Sequence, residues 1–227
     1  MLYFSGTPIG NLEDLSYRQA KVLTSSDIIL AEDTRSAQNL LHAIENLLSM
    51  KSVPHQKVVS YFKDKEFERL PSILQWIDEE LDICLISEAG MPLISDPGYL
   101  LLKTVIARNI PYSVIPGPSA VTTALLQAGF KNEKFMFLGF LPKKDTQLSK
   151  LLEHLKQVQV VMKDTVFVAF ESPHRINETL RIMAQIIPDR QIVVTRELTK
   201  KFEQIYRGTA KELQELEYRG EITLVIS

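Results

Sequence analysis

Short apolar runs alternate with amphipathic stretches through the first half of the chain. Leu2–Gly6, Asp27–Ala31, Val58–Ser60, Ile83–Ser87 and Tyr112–Ile115 have the length and composition of strands. Between them Ser16–Thr24, Thr34–Leu48, Glu66–Glu79 and Gly98–Arg108 carry apolar residues at helical spacing. The runs DIILA and DICLIS are continuously apolar after the leading aspartate, where a half-buried strand would alternate. Parallel strands covered on both faces read this way.

After Pro116-Gly117-Pro118 the order of elements changes. Ser119–Gln127, Leu148–Met162, Ile176–Ile186 and Ala210–Tyr218 read as helices, and Phe135–Leu138, Thr165–Phe170, Ile192–Thr195 and Ile222–Ile226 as strands. Two prolines and a glycine continue neither a strand nor a helix interior, so the expected units are residues 1–116 and 117–227, both α/β. There is no internal repeat and no low-complexity tract.

Composition narrows the class. The 227 residues are 45% hydrophobic and 24% charged, which argues against disorder, and the single Cys84 excludes a disulfide scaffold. The apolar runs fall far short of the ~20 residues of a membrane span. The start MLYFSGTPIGN has neither a basic region nor an apolar core like those of targeting peptides, so a cytoplasmic protein without membrane contact is expected. The net charge of −2 conceals an asymmetry: residues 1–118 carry 10 Lys+Arg and 15 Asp+Glu, the remainder 16 and 13. Any polyanion would therefore meet mainly the second half.

Several common chemistries are missing. No phosphate-cradling G-x-x-x-x-G-K-[ST], no G-x-G-x-x-G after the first strand and no G-x-S-x-G are present. His42, His55, His154 and His174 are scattered, so no metal site is expected. What remains is a set of Gly/Pro-rich turns, each following an expected strand: Ser5–Asn11, Ala31–Arg35, Ser87–Gly98 and Pro116–Ala120. In open α/β sheets such loops at the carboxyl ends of strands form the ligand crevice. Glycine lets backbone groups approach a ligand closely, and Glu32, Asp33, Arg35 and Asp96 cluster in the same loops. In the second half, Glu171-Ser172-Pro173-His174-Arg175 puts a carboxylate, an imidazole and a guanidinium at a strand end. Its plainer reading is helix-start polarity with an Arg175–Glu178 ion pair. Gly139–Lys144 and Arg196–Lys201 add cations that read either as solvated turns or as anion contacts.

Taken together, GTPIGNLEDLS, AEDTR, SEAGMPLISDPG, PGPSA, GFLPKK, ESPHRI, RELTKKFE and RGEITLVIS resemble the tetrapyrrole methylase superfamily. Within it they are similar to the 16S rRNA (cytidine-2′-O)-methyltransferase family, which methylates a ribose in the decoding region. The resemblance implies a two-domain class III methyltransferase with S-adenosylmethionine in a cleft between the domains, working as a homodimer on small-subunit rRNA and not on DNA. It puts Pro8, Ala89, Gly90, Met91, Ile94, Ser119, Ala120, Phe170 and Leu198 at cofactor contacts. Three departures stand out. Met91 replaces a usual threonine, Asp145-Thr146-Gln147 follows GFLPKK where arginines are common, and the sequence ends before the small helical extension of typical members.

For transfer to a ribose hydroxyl, Glu171 is the first candidate to orient or deprotonate the oxygen, with Glu32 and Asp96 behind it. Arg35, Lys143, His174, Arg175 and Lys200 are candidates to hold the substrate, chiefly its phosphates. Methylation of a tetrapyrrole or other small molecule on the same scaffold, and cofactor binding without catalysis, stay open as alternatives.

Overall fold

The computed structural model describes residues 1–227, which divide into two compact units, Met1–Ser119 and Ala120–Ser227. The break lies three residues beyond the expected position, after the whole Pro-Gly-Pro turn and Ser119.

The N-terminal unit is built on five strands: β1 (Leu2–Ser5), β2 (Ile28–Ala31), β3 (Lys57–Ser60), β4 (Ile83–Ile86) and β5 (Tyr112–Ile115). They lie in the order β3-β2-β4-β1-β5 and every pair is parallel. Side chains alternate between the two faces of the sheet. Ile29, Ala31, Cys84 and Ile86 pack with Ala20 and Leu23 of α1 (Tyr17–Ser25) and with Ala37, Leu41 and Ile44 of α2 (Thr34–Leu48). Leu2, Phe4, Ile28, Leu30, Ile83 and Leu85 pack with Ile73 of α3 (Glu66–Asp78) and with Leu101 and Val105 of α4 (Tyr99–Ala107). Burial of both faces is why DIILA and DICLIS show no alternation, and each fully buried Leu or Ile contributes about 1.5–3 kcal/mol. Because all five strands run the same way, the loops after β1, β2, β4 and β5 leave from one edge of the sheet.

The C-terminal unit carries β6 (Phe135–Phe140), β7 (Val166–Glu171), β8 (Gln191–Arg196), β9 (Gln204–Thr209) and β10 (Ile222–Ile226), ordered β6-β7-β10-β8-β9. Only β6 and β7 pair in parallel; the other neighbours are antiparallel. On one face α6 (Asp145–Val161), α7 (Ile176–Ile186) and α8 (Ala210–Leu213) bury Leu152, Leu180, Met183 and Leu213 against Phe167, Val194 and Leu224. On the other, α5 (Ala120–Ala128) packs against β7, β8 and β10.

Three expectations are corrected here. β9 is missing from the sequence reading, because QIYRGT is polar and lies at a sheet edge with a single neighbour. α6 starts at Asp145, three residues before the expected Leu148. The helix expected over Ala210–Tyr218 stops at Leu213, where the Asn177 side-chain amide donates to the Gln214 and Leu216 carbonyls (2.6 and 2.8 Å) and holds the chain in a turn. No helix is long and apolar enough to cross a membrane.

Candidate active site

At the carboxyl edge of the N-terminal sheet, the loops after β1, β4 and β5 are stitched together by backbone. Thr7 N–H donates to the Gly90 carbonyl (2.9 Å), and Gly90 N–H donates back to the Thr7 carbonyl (3.2 Å). The Ser87 hydroxyl also donates to the Gly90 carbonyl (2.9 Å), and Gly6 N–H donates to Ile115 (3.0 Å). The buried Gln19 ties α1 into the same seam, donating to the Gly6 carbonyl (2.6 Å) while accepting from Ser16 N–H in a capping box.

Glycine is required here for close approach. A Cβ on Gly117 would lie 2.9 Å from Gly6 Cα and 2.5 Å from Gln19 Nε2, and one on Gly6 would meet Met91 Sδ at 2.8 Å. The thioether of Met91 therefore lies over Gly6 and closes the seam from the β4 side. Pro8 and Gly90 are buried in the seam, Met91 and Ser119 are half-buried, and Ala89 and Ile94 are exposed.

Backbone strain singles out two loops. Of the eight non-glycine residues with positive φ, Ser49, Glu80, Asn109 and Asp164 lie just past the ends of α2, α3, α4 and α6, an ordinary place for that conformation. The other four form two alternating pairs, Leu93 (68°) with Ser95 (71°), and Glu197 (50°) with Thr199 (64°). Such residues cost on the order of 1–3 kcal/mol each and cluster at ligand sites. Both pairs fall in segments the motifs had marked.

Asp96 follows the first pair. Burial, and then the charges of Glu32 and Glu88, push its carboxyl from 3.8 up to about 6. Of the carboxylates after β2, Glu32 is exposed, whereas Asp33 caps α2 by accepting from Arg35 N–H (2.7 Å). The Arg35 side chain is 93% exposed, so its cation is available to solvent anions.

A group with a raised folded pKa adds stability below its unfolded value and loses it as pH rises through the folded one. For Asp96 that window runs from about 3.8 to 6. Asp96→Asn removes the penalty of a buried charge. It is expected to stabilise the protein by about 1–2 kcal/mol at pH 8, discounted for partial solvent access, and by nothing below pH 4. Urea unfolding at the two pH values measures both.

In the C-terminal unit the strand-end cluster is differently engaged from what the sequence led us to expect. The Glu171 side chain is wholly buried. It accepts from Arg175, from the Thr179 hydroxyl (2.7 Å) and from Ser172 N–H (2.6 Å). A carboxylate with its oxygens so occupied and its side chain out of solvent is held as a buried ion-pair partner in this structure, not as the free base expected from the sequence. Arg175 is likewise committed, to Glu171 and the Leu141 carbonyl, and is not a free phosphate ligand. The expected Arg175–Glu178 pair does not form; Glu178 pairs with Arg181 at 2.6 Å. Lys200 is held by Glu197 and Glu221, both at 3.0 Å. Burial opposes its charge, but those bonds outweigh it and keep its pKa above the usual value. Of the expected substrate contacts, Lys143 and His174 stay exposed.

Beside this cluster the half-buried Phe170, at the end of β7, meets Phe137 and Phe140 edge-on, with centroids 5.0 and 5.4 Å apart. Phe140 is turned outward by a bulge at Gly139, whose φ of 68° suits glycine. Leu198 is buried between the two strained residues Glu197 and Thr199. A separate polar depression of about 440 Å³, lined by Asn177, Arg181, Tyr218 and Arg219 among others, includes none of the expected site residues. No group of His, Cys, Asp and Glu is placed to hold a metal ion.

Sequence reasoning missed the Gly6–Gly117 contact, the role of Leu93 and the reach of Glu66, whose two oxygens accept from Gly98 and Leu100 N–H (2.9 and 3.2 Å). A glutamate opening a helix carries no signal that it serves another helix.

Comparison with known proteins bears on what these loops are for. The family model of tetrapyrrole (corrin/porphyrin) methylases matches residues 1–214. Ribosomal RNA small subunit methyltransferase I of Bacillus subtilis is 40% identical over 230 residues, covering 100% of this chain and 74% of that protein. The Thermotoga maritima protein of the same name is 39% identical, covering 100% and 97%. Among solved structures, a cobalt precorrin-4 methyltransferase superposes with a TM-score of 0.69 at 17% identity, covering 100% of this chain and 94% of its own. The uroporphyrin-III-C-methyltransferase of Thermus thermophilus gives 0.64 at 16%, covering 100% and 93%. These last two speak for the fold alone. With its loops, its two α/β units and its full-length relatives in agreement, the chain belongs to the tetrapyrrole methylase family, among the ribosomal RNA small subunit methyltransferase I proteins.

Proposed function

We propose that the protein transfers a methyl group from S-adenosylmethionine to the ribose 2′-hydroxyl of a cytidine in the decoding region of 16S rRNA. The observation that carries this reading is the 39–40% identity to two small-subunit rRNA methyltransferases across the whole of this chain. The likeness to corrin and porphyrin enzymes, at 16–17% identity, favours no tetrapyrrole substrate.

The residues present fit the methyl donor. Gly6 and Gly117, lacking Cβ atoms, let the loops after β1 and β5 close on each other, and the Thr7–Gly90 bonds add the loop after β4, so three loops meet at the carboxyl edge of the sheet where a nucleoside would lie. Ala89 and Ile94 offer small and apolar surface beside it. Pro8, Gly90, Met91 and Ser119 line the seam on this reading. When bound, the sulfonium donor supplies an electrophilic methyl carbon.

The protein's own part is to orient and to move a proton. A ribose oxygen has to be held in line with the reacting carbon, about 3 Å away. As the new C–O bond forms and the C–S bond breaks, the hydroxyl proton needs an acceptor. Asp96 is the carboxylate we assign to this, with Glu32 next: a pKa near 6 leaves it ionised at neutral pH and still basic enough to take the proton. Arg35, Lys143 and His174 are exposed and would hold phosphates, which positions an RNA without reading its bases. On the same reading the enzyme works in the cytoplasm as a homodimer.

Labelled S-adenosylmethionine with small ribosomal subunits lacking the modification tests the proposal. Label in RNA, mapped by mass spectrometry to a cytidine ribose, is the expected outcome. No incorporation into RNA, or competition by a tetrapyrrole precursor, would refute it.

A further inference from the structure

The loop from Gly90 to Gly98 carries four of the expected site positions, Gly90, Met91, Ile94 and Asp96, and two strained residues, and something must fix both of its ends. At its start the reciprocal Thr7–Gly90 bonds do so. At its end the chain enters α4, whose first N–H groups have no partner within the helix and ordinarily find one in the side chain of the N-cap residue. Here that residue is Gly98. Its φ of 124° lies outside what other residues adopt, and a Cβ on it would meet Leu93 Cδ1 at 3.0 Å. The position has to be glycine, and glycine has no side chain with which to cap.

The missing acceptor comes from a different helix. Glu66, the first residue of α3, places one carboxylate oxygen 2.9 Å from Gly98 N and the other 3.2 Å from Leu100 N. Both bonds are charge-assisted, and the negative charge sits at the positive end of the α4 dipole. The same glycine seats the Leu93 side chain, which packs with the core between the sheet and α3–α4. With its ends tied at Gly90 and Gly98, the segment between has little freedom to relax its left-handed residues, so Ile94 and Asp96 keep their places.

We infer that Glu66 is a positioning residue of the methyl-donor site, acting on the Gly90–Gly98 loop by capping α4 from outside. The inference rests on the proposed methyl-donor reading for its ligand, though not for its geometry.

Calorimetry with S-adenosylmethionine and hydrogen exchange at the Gly98 and Leu100 amides test it together. Glu66→Ala should weaken donor binding about tenfold, the equivalent of one net charge-assisted hydrogen bond, and should deprotect both amides. Glu66→Gln keeps one carbonyl acceptor for Gly98 N–H and should restore most of the affinity. Ile73→Val, in the buried face of the same helix, controls for loosening of α3 and should lower stability while leaving donor affinity unchanged.

Equal donor binding by Glu66→Ala and the parent overturns the inference. So does an equal loss of affinity in Ile73→Val, or failure of Glu66→Gln to bind better than Glu66→Ala. If the parent protein binds no donor, the functional reading fails instead; the exchange of the two amides then still decides whether Glu66 holds the loop.

Discussion

Gly117→Ala is expected to destabilise the N-terminal unit by about 3 kcal/mol, the upper range for overpacking, because the new methyl group meets backbone. Gly6 Cα would stand 2.9 Å from it and Gly6 C 3.1 Å, and neither can move without shifting β1 from its pairing with β5. The third neighbour, Gln19 Nε2, is a side-chain end, yet it is buried and bonded to Gly6 and offers little relief. Denaturant unfolding would show the loss, and calorimetry with S-adenosylmethionine should show binding reduced below detection. Gly129→Ala is the comparison. Gly129 has a φ of 71° but open space around it, so only the backbone penalty of about 1 kcal/mol applies. Equal stability of the two variants would mean that the Gly6–Gly117 contact is not tight.

Glu171→Ala is the second large effect, with a loss of about 3 kcal/mol expected from breaking a buried ion pair. Three donors lose their acceptor at once, and Arg175 keeps only the Leu141 carbonyl at 3.4 Å. Glu171→Gln, which retains one acceptor oxygen, should lose about half as much. Kinetics separate this structural role from the catalytic one. In Glu171→Gln, below its unfolding temperature, the pH profile of methyl transfer should keep its shape, with an acid limb near 6 set by Asp96. Disappearance of that limb would return Glu171 to the chemistry.

The two carboxylates show how far residue type and position reach. Both follow strands, and both sit in polar turns with Pro and Ser nearby. Glu171 finds an arginine four residues on, at the N-cap of the helix that follows, and a threonine eight residues on, within that helix, and is neutralised. Asp96 is raised by its burial first, and then by the charges of Glu32 and Glu88. Arg175 and Lys200 were expected at phosphates for the same reason, and both turned out to be spent on neighbouring carboxylates. Partners of a charge are a matter of where helices land, and spacing along the chain lists only the candidates.

Strands tell the same story. DIILA and DICLIS were legible because burial on both faces demands uninterrupted apolar side chains, which no loop or surface helix would carry. QIYRGT was not, since an edge strand is held by backbone bonds that its side chains do not advertise. Nor does any local feature put β10, last in the chain, at the centre of its sheet between β7 and β8.

The sequence by itself determined which segments are strands with buried faces, which turns must be glycine or proline, and, through the order of its motifs, the family. Those properties are local, set by side-chain volume, φ preference and hydrophobic period. Tertiary structure alone decided that Gly6 and Gly117 touch, that Glu66 caps a helix 32 residues away, and which acid is buried without a cation. Contacts between distant segments depend on how sheets and helices stack, and a carboxylate's pKa depends on everything that stacking brings near it.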